Sequence, residues 1–176
     1  AESVAVGYQA GFANTTGRIT AVGRHAIKSN TTATENTGIG YRALRDTTTG
    51  ANNTAVGGDA LLSNTTGAAN TAIGFEALNT YNVTDSGQDY KVALGFSAGK
   101  AISTGCQNIF IGGNSAAGAT ITGSHNVGVG QNSMYNLTTG ASNTSIGGFS
   151  GSGHALNDIT TGSQNTAVGA GALHAN

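Results

Sequence analysis

The sequence predicts an all-β fold, a parallel β-solenoid of about ten 17-residue coils. Three observations carry this reading: a phrase that recurs about every 17 residues, strand-like alternation inside it, and a chain of small residues with 29 Gly and no Pro. The phrase is clearest where Asn53-Thr54-Ala55-Val56-Gly57, Ala60-Leu61 and Asn64-Thr65-Thr66-Gly67 are followed at once by Asn70-Thr71-Ala72-Ile73-Gly74 and Ala77-Leu78. Its closing glycine marks ten units, at Gly7, Gly23, Gly40, Gly57, Gly74, Gly95, Gly112, Gly130, Gly147 and Gly169. Such a unit cannot enclose an apolar face alone and must stack on its neighbours. The whole of 1–176 reads as one repeat domain, with the longer steps as loop insertions near 80–90 and 152–158. The truncated phrases at both ends read as the edges of a fragment of a longer fibre.

The first element of each unit is a strand. Immediately before the marker stand Val6, Val22, Ile39, Val56, Ile73, Leu94, Ile111, Val129, Ile146 and Val168, aliphatic in every unit, which predicts a core column. Two before it stand small residues, among them Ala5, Ala21, Ala55, Ala72, Ala93 and Ala167, with Phe110 as the exception. Alternation sends these columns to opposite faces. With the aliphatics inside, the alanines face outward and let rods pack side by side, most simply as a symmetric homotrimer. Three before the marker, Thr20, Thr37, Thr54, Thr71, Thr144 and Thr166 share a column with Val4, Val92, Ile109 and Val127, placing those threonines on the core side too.

After the marker, the small residue and following aliphatic of Ala43-Leu44, Ala60-Leu61 and Ala77-Leu78 predict a second strand, because about nine residues are too few for a packed helix. Thr-Thr-Gly closes the unit as a corner, as at Thr48-Thr49-Gly50. Asn36, Asn53, Asn70, Asn108, Asn126, Asn143 and Asn165 recur at strand entry, as residues that tolerate left-handed backbone and bond neighbouring backbone. At the usual strand spacing, ten coils make a rod of about 48 Å.

Composition narrows the function. Seven Lys and Arg nearly cancel eight Asp and Glu, which removes the field a nucleic-acid binder uses. No apolar run approaches a membrane helix. The single Cys106 excludes an internal disulfide framework, and the four His show no metal spacing, so no metal site or cofactor is expected. No nucleophile, base and orienter can be assembled into an enzyme. The insertions are the individual parts of a repetitive surface. Tyr81, Asn82, Asp85, Gln88, Asp89 and Tyr90 supply aromatic rings, amides and carboxylates suited to a sugar; His154, Asn157 and Asp158 form the second candidate.

Ser3-Val4-Ala5-Val6-Gly7 and Asn70-Thr71-Ala72-Ile73-Gly74 resemble the head repeat of trimeric autotransporter adhesins. The longer phrase with Ala-Leu and Asn-Thr-Thr-Gly is similar to repeats of phage-type tail fibres and bacterial surface fibres. The likeness covers the whole chain, although the period is longer than the adhesin's and the chain shows no stalk, anchor or terminal chaperone domain. It implies a left-handed β-roll, three chains about one axis, and an extracellular virion tail fibre or bacterial surface fibre that touches a cell-surface glycan or protein receptor. The rival reading is an ice-binding solenoid presenting ranks of Thr. It ranks second because the strand threonines share a column with aliphatics expected inside.

Overall fold

The computed structural model describes residues 2–82, 89–148, 155–156 and 158–173. Among the described residues ten short strands follow one another: β1 (Val4–Val6), β2 (Ile19–Val22), β3 (Asn36–Ile39), β4 (Thr54–Val56), β5 (Thr71–Ile73), β6 (Val92–Leu94), β7 (Ile109–Ile111), β8 (Val127–Val129), β9 (Thr144–Ile146) and β10 (Thr166–Val168). They form one parallel sheet in sequence order, each strand bonded only to the coil before and the coil after. The register stacks like on like, Thr54 on Thr71, Ala55 on Ala72 and Val56 on Ile73. The marker glycines lie above one another: Gly57 N–H donates to Ile39 O at 2.8 Å, and a Cβ on Gly57 would stand 2.5 Å from Gly74 O. With φ near +132° as well, that corner admits only glycine. The chain is therefore an all-β parallel solenoid of about 17 residues per coil.

The two strand faces are the reverse of those expected. Ala21, Ala55, Ala72, Ala93 and Ala167 point into the coil and are buried, whereas Ala5, in the first coil, is exposed. The aliphatic column points outward. Val6, Ile39, Ile73, Leu94, Ile146 and Val168 are exposed, and Val22, Val56, Ile111 and Val129 are half-buried. The threonine column shares this outer face, half-buried at Thr20, Thr37, Thr54 and Thr71. The cause is the width of the interior. Ile27, Leu44, Leu61 and Leu78 reach across from the opposite side and are wholly buried, leaving room for no more than a methyl group on the sheet. At Gly38 even a methyl is too much, since a Cβ there would lie 2.7 Å from Ile27 Cγ1. Phe110 obeys the same rule in reverse. Gly99 and Ala116 stand where other coils carry Leu, and the ring fills the space.

The expected second strand is instead an arc of turns with alternating handedness. His25, Ile27, Arg42, Leu44, Asp59, Leu61, Glu76 and Leu78 all have φ between 47° and 61°. This lets successive N–H groups point along the rod in opposite senses: His25 N–H reaches back to Tyr8 O, while Ile27 N–H reaches forward to Ala43 O, both at 2.9 Å. Leu44 and Leu61 repeat the forward bond to Ala60 O and Ala77 O at 3.0 Å. Left-handed backbone costs a non-glycine residue roughly 1–2 kcal/mol. Burial of Ile27, Leu44, Leu61 and Leu78 in their coils, with paired backbone, works against that cost.

The recurrent asparagines bond neighbouring backbone as expected, but none of them takes the left-handed backbone itself. Residues just before them, such as Glu35, Asn52 and Ala69, take the left-handed backbone. Asn36, Asn53, Asn70, Asn108, Asn126 and Asn143 are buried in a side-chain ladder. Asn53 N–H donates to Asn36 Oδ1 at 2.9 Å, and Asn70 N–H to Asn53 Oδ1 at 3.0 Å. Asn53 Nδ2 meanwhile satisfies Gly67 O at 2.8 Å. A second ladder runs along the corner, where Thr15, Thr31 and Thr48 hydroxyls donate to the carbonyls of Thr31, Thr48 and Thr65 at 2.7, 3.2 and 3.1 Å.

Candidate functional site

The first insertion divides between interior and surface. Tyr81 and Asp89, expected to meet a ligand, are buried, whereas Asn82 and Tyr90 are exposed. Asp85 and Gln88 lie outside the described residues. Asn82 continues the corner ladder by accepting the Thr65 hydroxyl at 2.7 Å. Tyr81 occupies the inward corner position held by Asn30, Thr47 and Asn64 in the preceding coils and by Ile102 in the following one. It marks the change from a polar to an apolar corner.

Lys91 interrupts the asparagine ladder between Asn70 and Asn108 and is wholly buried. Its Nζ lies 3.8 Å from the centre of the Tyr81 ring and 3.7 Å from Asp89 Oδ1, with no hydrogen-bond partner among the described residues. Asp89 is better held, accepting Ala68 N–H at Oδ2 at 3.2 Å, with Cys106 Sγ 3.8 Å from Oδ1. Burial lowers the Lys91 ammonium to about 8, although the Asp89 carboxylate acts in the opposite sense. Burial, with Asp89 adding to it, pushes the Tyr81 phenol well up.

The ammonium is therefore a cost to the fold at neutral pH. That cost is full below about pH 8 and is relieved toward the ordinary lysine value of 10.5, because in that window the unfolded chain binds more protons than the native one. Stability is expected to rise between about pH 8 and 10, and Lys91→Met to flatten the rise. Urea unfolding at stepped pH measures both. Above about pH 10, ionisation of Tyr81 in the unfolded chain opposes the trend.

In the second insertion, Asp158 is exposed, with Asn136 Nδ2 3.4 Å from its Oδ1. His154 and Asn157 lie outside the described residues. No three His, Cys, Asp or Glu among the described residues are grouped to hold a metal ion. No helix among them is long and apolar enough to cross a membrane.

Two continuous surfaces remain. One is the outer face of the sheet, a stripe of branched aliphatics and threonines along the rod. The other follows the glycine corner, where the residue after the marker reads Tyr8, Arg24, Tyr41, Gly58, Phe75 and Phe96. The rings of Phe75 and Phe96 stack with centres 5.6 Å apart, and both are exposed. Gly58 leaves room for this rank, since a Cβ there would come within 3.2 Å of the Phe75 ring. Reading the position after the marker as a column would have found the rank in the sequence. No protein-family model, curated protein or solved structure matches the chain.

Proposed function

We propose that the chain is a rigid segment of a homotrimeric fibre, carried outside the cell as a virion tail fibre or bacterial surface fibre, that displays its corners and insertions to a cell-surface glycan or protein receptor. The observation that carries the reading is the outer face of the sheet. Ile73 and Leu94 are 38% and 43% exposed in a single chain, within a stripe of branched aliphatics that runs from β1 to β10. A contiguous apolar band of that length marks a face that another surface covers. Three copies turning their sheets to one axis would cover all of it, and the contact uses the aliphatic column rather than the alanines. The resemblance to adhesin heads and tail fibres supports the same arrangement. Light scattering tests it: three times the mass of one chain is expected, and a single-chain mass overturns the assembly. A glycan and cell-binding screen on the same material tests the receptor.

The outward threonines favour one alternative, an ice-binding face. Thr37, Thr54 and Thr71 stack on the outer sheet in register. Against it, Ile39, Val56 and Ile73 stand beside them, and the corner hydroxyls of Thr15, Thr31 and Thr48 are donated to carbonyls of the next coil. Thermal hysteresis in solution would reverse the ranking.

A further inference from the structure

We propose that the glycine corner and adjoining arc of the first three coils bind an acidic polysaccharide, with carboxylates on Arg24 and Lys28 and a sugar ring against Tyr8. This rests on the reading of the chain as a receptor-binding fibre and assigns that receptor a chemistry and a place.

The chain as a whole is nearly neutral, but its cations are not evenly spread: Arg18, Arg24, Lys28, Arg42 and Arg45 are five of its seven. Three of these are already compensated. Arg18 pairs with Glu35, Arg42 grips Asp59 through two bonds of 2.7 and 2.6 Å, and Arg45 grips Asp46 through two of 2.8 Å. Arg24 and Lys28 meet no carboxylate among the described residues. Arg24 instead lies among rings, its guanidinium carbon 5.9 Å from the centre of Tyr8 and 5.7 Å from that of Tyr41. Its Nη1 is 3.4 Å from the Tyr41 hydroxyl. His25 is tilted against Tyr8 with ring centres 5.5 Å apart. Desolvation, then Arg24, Lys28, Arg45 and Arg42, holds its imidazole below the ordinary value, the mark of a locally positive surface.

Charge complementarity thus calls for an anion, and the rings call for more than an anion. Tyr8 is 66% exposed, a flat apolar face held open beside a cation with spare donors. A chain of sugar rings bearing carboxylates offers both complements in one ligand. Tyr8, Arg24 and Tyr41 follow the marker glycines, whereas Val6, Val22 and Ile39 of the aliphatic stripe precede them.

The test titrates the intact chain with polygalacturonate, with neutral dextran and with inorganic polyphosphate. Polygalacturonate is expected to bind, and Arg24→Gln with Lys28→Gln to weaken it roughly tenfold or more. Tyr8→Ala is expected to weaken it roughly tenfold as well. Neither change touches a buried residue, and unaltered mass and circular dichroism verify the fold. Three results overturn the proposal: no binding of polygalacturonate, equal binding of dextran, or equal binding of polyphosphate with no response to Tyr8→Ala. A neutral glycan captured elsewhere on a chain of trimeric mass would sink this site while leaving the fibre standing. A chain of single mass that takes up no glycan would end both.

Discussion

In the proposed trimer, Ile73→Asp with Leu94→Asp is expected to leave each chain coiled and to abolish association. Both side chains project from the outer sheet and are more than a third exposed, so the carboxylates meet water in a lone chain. The local cost is then that of a poor strand residue, within about 1 kcal/mol at each position. In a trimer the same two positions place six carboxylates against apolar neighbours near one axis, where unpaired charge is prohibitive. Mass in solution should fall to one chain while the far-ultraviolet spectrum is retained. Ala72→Leu provides the opposite control. Ala72 is wholly enclosed, so the added bulk should cost about 1–3 kcal/mol in coil stability. Loss of structure in the aspartate variant, with Ala72→Leu tolerated, would place the alanines outside and the aliphatic column within.

Asp89→Ala is expected to destabilise the fold strongly. It strips the counter-charge from an ammonium that has no exposure and no hydrogen bond among the described residues, and such a loss costs about 3–5 kcal/mol. Adding Lys91→Asn should rescue it beyond the parent. The corresponding positions of the preceding coil are Ala68 and Asn70, and an asparagine at 91 would rejoin the ladder between Asn70 and Asn108. Replacing a buried ion pair by groups that fit gains about 1–4 kcal/mol in comparable cases. Thermal melts of the two single variants and the double one form a cycle. A double variant no better than Asp89→Ala alone would mean that Lys91 contributes through contacts other than the pair.

The period, the ten units and the vertical register were legible because repetition over ten copies leaves no other way to stack them. Which face lies inside was not. A two-residue alternation tells which side chains travel together and says nothing about which set is enclosed. The usual preference for burying Val and Ile over Ala then points the wrong way. Volume decides, through Leu44, Leu61 and Leu78 arriving from the far side of the coil. The clue was present in the sequence, since Phe110 occurs in the small column where Gly99 and Ala116 replace the leucines. The cluster at the first insertion was half legible: aligning the asparagine column puts Lys91 inside, yet Tyr81 and Asp89 look like loop tips until the corner is built. The left-handed arc had no signal, because Ile27 and Leu44 are not residues that favour such backbone.

Neighbouring coils are joined by hydrogen bonds from the sheet and the arc, with the asparagine ladder and the threonine corner adding to them over much of the rod, and all of these bonds run along it. A pull on the two ends therefore loads these bonds lengthwise and opens them one storey at a time, as a zipper rather than a shear joint. Each storey released would pay out roughly 50–55 Å of chain in exchange for one strand spacing. A tethered particle attached through such a filament would feel a yielding cable under tension and a stiff strut at rest.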